Sequence, residues 1–157
     1  MLLLFIIRKH YNIGKEGEIL MNYKNILVPI DGSDNSYKAL REAMEIARLN
    51  DVTLSVLTVQ DDGKLYGHAL PILKHNYTKA SEMILQEAVD IVKDNVKVQT
   101  FVVVGIPKKQ IVEFATEQKC DLIVMGATGS NYFERMTLGS TTAYVVNHAP
   151  CNVTVVK

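Results

Sequence analysis

Short apolar runs alternating with amphipathic helical stretches constrain this chain more than any other feature. Five such runs recur from Lys24 onward: Asn25-Ile-Leu-Val-Pro-Ile30, Val52-Thr-Leu-Ser-Val-Leu-Thr-Val59, Val98-Gln-Thr-Phe-Val-Val-Val104, Asp121-Leu-Ile-Val-Met125 and Cys151-Asn-Val-Thr-Val-Val156. Runs of this length suit strands buried on both faces of a parallel sheet. Pro29 sits near the end of the first run, where its missing donor costs least. Leu40, Ala43, Met44 and Ala47 follow at helical spacing, after Ser33, a good N-cap. Ala80, Met83, Ile84, Ala88, Ile91 and Val92 mark a second helix. Residues 60–75, with Gly63, Gly67 and Pro71, read as a loop. Gly105-Ile-Pro107 opens a third helix with proline in its first turn, and Ile111, Phe114 and Ala115 form its buried face. A fourth, short helix runs from about Ser140 to Asn147. The order is βαβαβαβαβ. It predicts a three-layer α/β/α domain around a five-stranded, mainly parallel sheet with right-handed crossovers. With 157 residues, 48% of them hydrophobic, one domain can bury a sufficient core unaided.

Charge and cysteine content remove several function classes. Seventeen basic residues balance 17 acidic ones, so no concentrated basic surface recommends nucleic acid as a partner. Cys120 and Cys151 form no CxxC, and the four histidines are scattered. Neither a disulfide framework nor a zinc site follows, and two buried thiols fit a reducing compartment, the cytoplasm. Met44, Met83 and Met125 read as core fillers, and His148 and Cys151 as structural residues.

The first twenty residues stand apart. The apolar run Met1–Ile7 is too short to span a bilayer. Its charges, Arg8 and Lys9, follow it, and no small-residue cleavage site comes next, so it is not a signal peptide. Glu16-Gly17-Glu18 can be encoded by GAA-GGA-GAA, which contains the bacterial ribosome-binding sequence AAGGAG just upstream of Met21. Residues 1–20 are therefore expected to be a translated leader, disordered or dispensable, with 21–157 the domain. Without that leader the chain is slightly acidic, so an anionic ligand would have to be held by local N–H groups or a metal.

Ligands of open parallel sheets sit at the carboxyl ends of the strands, where the winding direction reverses. A strand order of 3-2-1-4-5 brings two unusual segments to that crevice. One is Asp31-Gly32-Ser33, after the first strand. The other is Gly126-Ala-Thr-Gly129-Ser130, continuing to Leu138-Gly139-Ser140-Thr141 at a helix start. Glycines admit a ligand close to backbone N–H groups. Free N–H groups at a helix N-terminus attract anions, Ser140 and Thr141 add hydroxyls, and an acid suits a ribose diol. These residues describe a nucleotide site with a phosphate cradle. On spacing alone they also fit an ordinary turn and helix cap, and Asp31 also fits a capping acid. The spacing is neither GxGxxG nor GxxxxGK[ST]. Glu134 and Arg135 read as solvated loop charges.

Four stretches carry a resemblance to the universal stress protein family (UspA-like), in its ATP-binding subgroup. They are Lys24-Asn-Ile-Leu-Val-Pro-Ile-Asp-Gly-Ser33, Val103-Val-Gly-Ile-Pro107, Asp121-Leu-Ile-Val-Met-Gly126, and Gly126-Ala-Thr-Gly129 through Gly139-Ser140 to His148-Ala-Pro-Cys151. The resemblance runs from about Met21 to Lys157, and the family's G-x2-G-x9-G-[S/T] signature is complete. It implies a Rossmann-like fold of the adenine nucleotide α-hydrolase type. It further implies that Pro29 and Asp31 meet the ribose side, that the backbone of Val59 meets adenine, and that Gly126, Thr128, Gly129, Ser130, Gly139, Ser140 and Thr141 line the phosphates. Thr128 stands where many members have His, and Ser130 where many have Arg or Lys. A bound Mg²⁺, or a less charged nucleotide such as AMP, would make good that missing cation. The resemblance implies a cytoplasmic, ATP-binding regulator of the stress response with at most slow hydrolysis and no membrane partner. No nucleophile–base pair is evident in the sequence. The family also pairs its last strand antiparallel in a homodimer, and Val153-Thr-Val-Val156 reads as an exposed β-branched edge suited to that. Two rivals remain. One is an ATP pyrophosphatase or adenylyl-transfer enzyme, since Asp31-Gly-Ser-Asp-Asn-Ser36 faintly resembles that group's SGGxDS loop. The other is a dimeric interaction module without nucleotide.

Overall fold

The computed structural model describes residues 4–6, 12–13, 19–20, 22–61, 71–93, 95–128 and 138–157. Three short strands come first: β1 (Leu4–Ile6), β2 (Asn12–Ile13) and β3 (Ile19–Leu20). The alternating unit follows as β4 (Ile26–Pro29), α1 (Asp34–Asn50), β5 (Leu54–Asp61), α2 (Pro71–Val92), β6 (Val98–Gly105), α3 (Pro107–Glu117), β7 (Leu122–Gly126), α4 (Ser140–His148) and β8 (Asn152–Val156). The sheet order is β6-β5-β4-β7-β8-β1. Pairing is parallel from β6 through β8. Taken from β4 onward this is the expected five-stranded 3-2-1-4-5 sheet.

Burial explains the apolar runs. Every residue of β4, β7 and β8 is buried, as a strand covered on both faces requires. One core packs Leu40, Ala43 and Ala47 of α1 and Leu85, Ala88 and Val92 of α2 against Ile26, Val28, Leu54, Val56, Leu122 and Val124. The opposite core packs Ile111, Phe114 and Ala115 of α3 and Val145 of α4 against Leu27, Leu57, Ile123 and Met125. The caps follow the sequence: Ser33 is the N-cap of α1, its Oγ accepting from the N–H of Ser36 at 3.3 Å, and Pro107 begins α3. Among the described residues no helix is long and apolar enough to cross a membrane.

Three expectations need correction. Residues 60–75 are not all loop: β5 continues to Asp61, and α2 begins at Pro71, since proline is well suited to a first helical position. Met83 is no core filler, being 65% exposed. The buried stripe of α2 is Ser81, Leu85, Ala88 and Val92, and Ser81 is drawn in because Gln60 Nε2 donates to its Oγ at 3.2 Å. The edge of β8 is also not free. β1 pairs antiparallel along it, with Leu4 opposite Val155, Phe5 opposite Thr154 and Ile6 opposite Val153.

Both cysteines are free thiols packed in or against the second core. Burial pushes Cys120 up to about 11 and Cys151 up to about 12, each helped by nearby Asp121. Both therefore stay protonated and inert near neutrality.

Candidate functional site

A cavity of about 600 Å³ opens at the carboxyl ends of β4, β5 and β7, walled by α2 and by the first turns of α3 and α4. Its first wall follows from unequal strand lengths. β4 stops at Pro29, opposite Leu57, and the N–H of Ile30 donates to the carbonyl of Leu57 at 2.8 Å. β5 runs on through Thr58, Val59, Gln60 and Asp61, paired only on its β6 side with Val102 to Gly105. The other backbone edge of that overhang lies along the cavity, and a peptide edge offers the donor and acceptor that a heteroaromatic ring edge needs. Ile84, Ile106 and Ile111 add apolar surface beside it.

The second wall is the turn after β4. Gly32 has φ of +81°, a conformation side chains rarely adopt, and a Cβ there would meet Ile84 at 3.1 Å. This turn lets Asp31 Oδ1 accept from both the N–H and the Oγ of Ser33, at 3.1 and 2.6 Å. Asp31 thus pins the helix cap and lines the cavity at once. The two readings of this acid are compatible.

The third wall is built on Gly126. A Cβ at this position would lie 2.9 Å from both the carbonyl carbon and the oxygen of Asn35, so the close approach of α1 to β7 requires glycine. Asn35 Nδ2 donates to Thr128 Oγ1 at 2.7 Å, and Thr142 Oγ1 donates to the Gly126 carbonyl at 2.8 Å. The N–H of Gly139 donates to the carbonyl of Ala127 at 2.8 Å. These bonds lock the exit of β7 between the N-termini of α1 and α4. Gly139 is the N-cap of α4; no side chain caps this end, and its first turn holds no acid. An uncapped helix N-terminus carries a partial positive charge and free N–H groups, the ordinary elements of an anion site.

Pro29, Asp31, Val59, Gly126, Thr128, Gly139, Ser140 and Thr141 all line this one cavity. Gly129 and Ser130 lie outside the described residues, as do Tyr132, Phe133, Glu134 and Arg135.

The sequence pattern of the universal stress protein family matches residues 22–157. The chain belongs to the universal stress protein family. Universal stress protein MJ0531 of Methanocaldococcus jannaschii is 38% identical over 154 residues, covering 93% of this chain and 88% of that protein. The universal stress protein UspA from Lactobacillus plantarum superposes with a TM-score of 0.69 at 37% identity, over 87% of this chain and 99% of that one. A universal stress protein crystallised in complex with cAMP gives a TM-score of 0.70 at 31% identity, over 87% of this chain and 98% of that one.

This universal stress protein also brings to the cavity residues that spacing alone did not single out. Ser36, Lys108 and Thr142 line it, and Asn35 buttresses it through Thr128. Asn35 and Ser36 sit in the first turn of α1, directly after the motif Asp31-Gly32-Ser33. Lys108 directly follows Gly105-Ile-Pro107. Adjacency to each motif was the available signal. Among the described residues no group of three or more His, Cys, Asp or Glu side chains is placed to hold a metal ion.

Proposed function

We propose that this protein binds an adenine nucleotide, ATP foremost, and acts as a cytoplasmic regulator in a stress response, not as a fast enzyme. The observation that carries this reading is the meeting, in one cavity, of the β5 backbone overhang at Val59, the carboxylate of Asp31 and the uncapped N-terminus Gly139-Ser140-Thr141. Base, ribose and phosphate each find complementary chemistry there in that order. Gly129 and Ser130 belong to the same site in this reading, through the glycine signature. The relative crystallised with cAMP supports an adenine nucleotide as the ligand class.

Mg²⁺ would arrive with the triphosphate, held mainly by phosphate oxygens and water, as this ion usually is. Ser36, Thr128, Ser140 and Thr141 offer the cavity hydroxyls to position phosphate, and no base paired to a nucleophile is invoked; slow hydrolysis at most is expected. Residues 21–157 form the working domain, with 1–20 dispensable for binding. In solution the chain pairs as a homodimer along Val153–Val156, where a second copy and β1 compete for one edge.

The test is to denature the purified protein, identify any released nucleotide by mass spectrometry, and titrate ATP, AMP and cAMP in thermal melts. A ligand at a hundredfold its dissociation constant adds about 2.7 kcal/mol of stability. Absence of any shift at millimolar concentrations of all three would discard the reading.

A further inference from the structure

We propose that Lys108 is the phosphate-binding cation of this site, taking the role that Thr128 and Ser130 leave vacant in the glycine stretch. The proposal rests on the adenine-nucleotide reading above.

Lys108 occupies the first turn of α3, directly after Pro107, and lines the same cavity as Gly139, Ser140 and Thr141. It is half-buried, so its position is defined by packing. Its Nζ lies over the ring of Tyr144, 5.3 Å from the centroid. Tyr144 stands one helical turn after Ser140, and its ring stacks on His148 with centroids 4.0 Å apart. The ammonium therefore rests against α4, while Lys108 shares the lining of the cavity with the first turn of that helix.

This placement is electrostatically unfavourable without a ligand. A lysine in the first turn of its own helix opposes that helix's dipole, and the α4 N-terminus adds a second positive pole. Neither α3 nor α4 has an acid in its first turn. Among the described residues Lys108 forms no salt bridge. Two acids also line the cavity: Asp61, at the end of β5 opposite Gly105, and Asp31, which is engaged with Ser33. A half-buried tyrosine face holds an ammonium less strongly than an anion does. A phosphate at the α4 N-terminus would offer it a charge-assisted hydrogen bond, which is stronger. Two helix ends whose first turns carry no acid thus meet one lysine in this cavity, and a nucleotide's phosphates would supply the counter-charge there.

The experiment is calorimetric titration of ATP, AMP and adenosine into the wild type, Lys108→Ala, Lys108→Arg and Lys109→Ala, repeated at several salt concentrations. Lys109 is exposed, neighbours Lys108 and does not line the cavity. Lys108→Ala should weaken ATP by about tenfold or more, as loss of a charge-assisted hydrogen bond does. It should also flatten the salt dependence of ATP binding, leave adenosine affinity unchanged and not lower the ligand-free Tm, since this lysine opposes the dipole of its own helix. Lys108→Arg should restore most of the ATP affinity, and Lys109→Ala should match the wild type. The proposal is overturned if Lys108→Ala binds ATP like the wild type, or if it weakens adenosine as much as ATP. A wild type that binds none of the three ligands refutes the nucleotide reading itself, and this proposal with it.

Discussion

Two glycines of one motif should tolerate a methyl group very differently. At Gly126 a Cβ would stand 2.9 Å from the carbonyl carbon and oxygen of Asn35, and 3.0 Å from its Cβ. Two of those atoms are backbone, in the first turn of α1, which is itself pinned by the Ser33 cap and the Asn35–Thr128 bond. The helix cannot swing a side chain aside; it must shift as a body or strain β7. Overpacking of this kind costs about 1–3 kcal/mol. For a chain of this size each kcal/mol lowers Tm by about 2–4 °C, so Gly126→Ala should melt about 2–12 °C below the wild type. Gly139 has φ −58° and ψ 152°, a conformation open to any residue. Gly139→Ala should therefore cost less than about 1 kcal/mol, the scale of an exchange at a helix N-cap. Its methyl would instead enter the phosphate cradle and abolish ATP-induced stabilisation. Urea unfolding followed by circular dichroism measures the first effect as a lower midpoint at constant slope, and thermal melts with ATP measure the second. If Gly126→Ala melts with the wild type, the close packing of α1 on β7 is not what this glycine serves.

The folded-state pKa values of Cys120 and Cys151 lie above the ordinary 9.0, at about 11 and about 12. The stability these protonated thiols contribute is complete below pH 9 and is lost as pH rises towards 11–12, because the unfolded chain releases their protons first. Urea midpoints should fall over that window in the wild type and less in Cys151→Ala, and labelling of native protein by a thiol reagent at pH 8 should be far slower than in urea. A chain starting at Met21 lacks β1 and exposes the edge of β8; light scattering should find more dimer than for the full chain, and equal dimerisation would mean that β1 does not occupy that edge in solution.

The parallel sheet was legible chiefly through its two central strands, β4 and β7, which are buried on both faces and carry no polar side chain, whereas β6, read as equally buried, leaves Val102 and Val104 exposed. Ile26-Leu-Val28 and Leu122-Ile-Val-Met125 announce themselves by composition alone. The face of α2 was legible in part: Ala88 and Val92 are buried and Ile84 and Ile91 pack partly against the core, but Met83 is exposed. Buried Ser81, bonded by Gln60 Nε2, is a pairing between two elements that helical periodicity cannot contain. The glycine spacing pointed to the cavity that Gly126 and Gly139 line, but it gave Gly126 only a ligand-facing role. Its packing reason lies on Asn35, in a different helix.

Lys108 was hidden for a related reason. A search along the glycine stretch for a basic residue finds Thr128 and Ser130 and stops, because sequence proximity stands in for spatial proximity. The fold removes that restriction: α3 and α4 pack against each other on one face of the sheet, and both begin at the same end of it. A residue opening α3 is therefore a neighbour of the residues opening α4, whatever their separation in the chain. The balanced composition, 17 basic against 17 acidic, gives an anion no attraction at long range. Affinity for a phosphate must then come from charges fixed within a hydrogen bond of it. In the proposed site those are the N–H groups of α4 and the ammonium of Lys108, and removing the lysine should lower the salt sensitivity of binding more than removing any lysine on the outer surface.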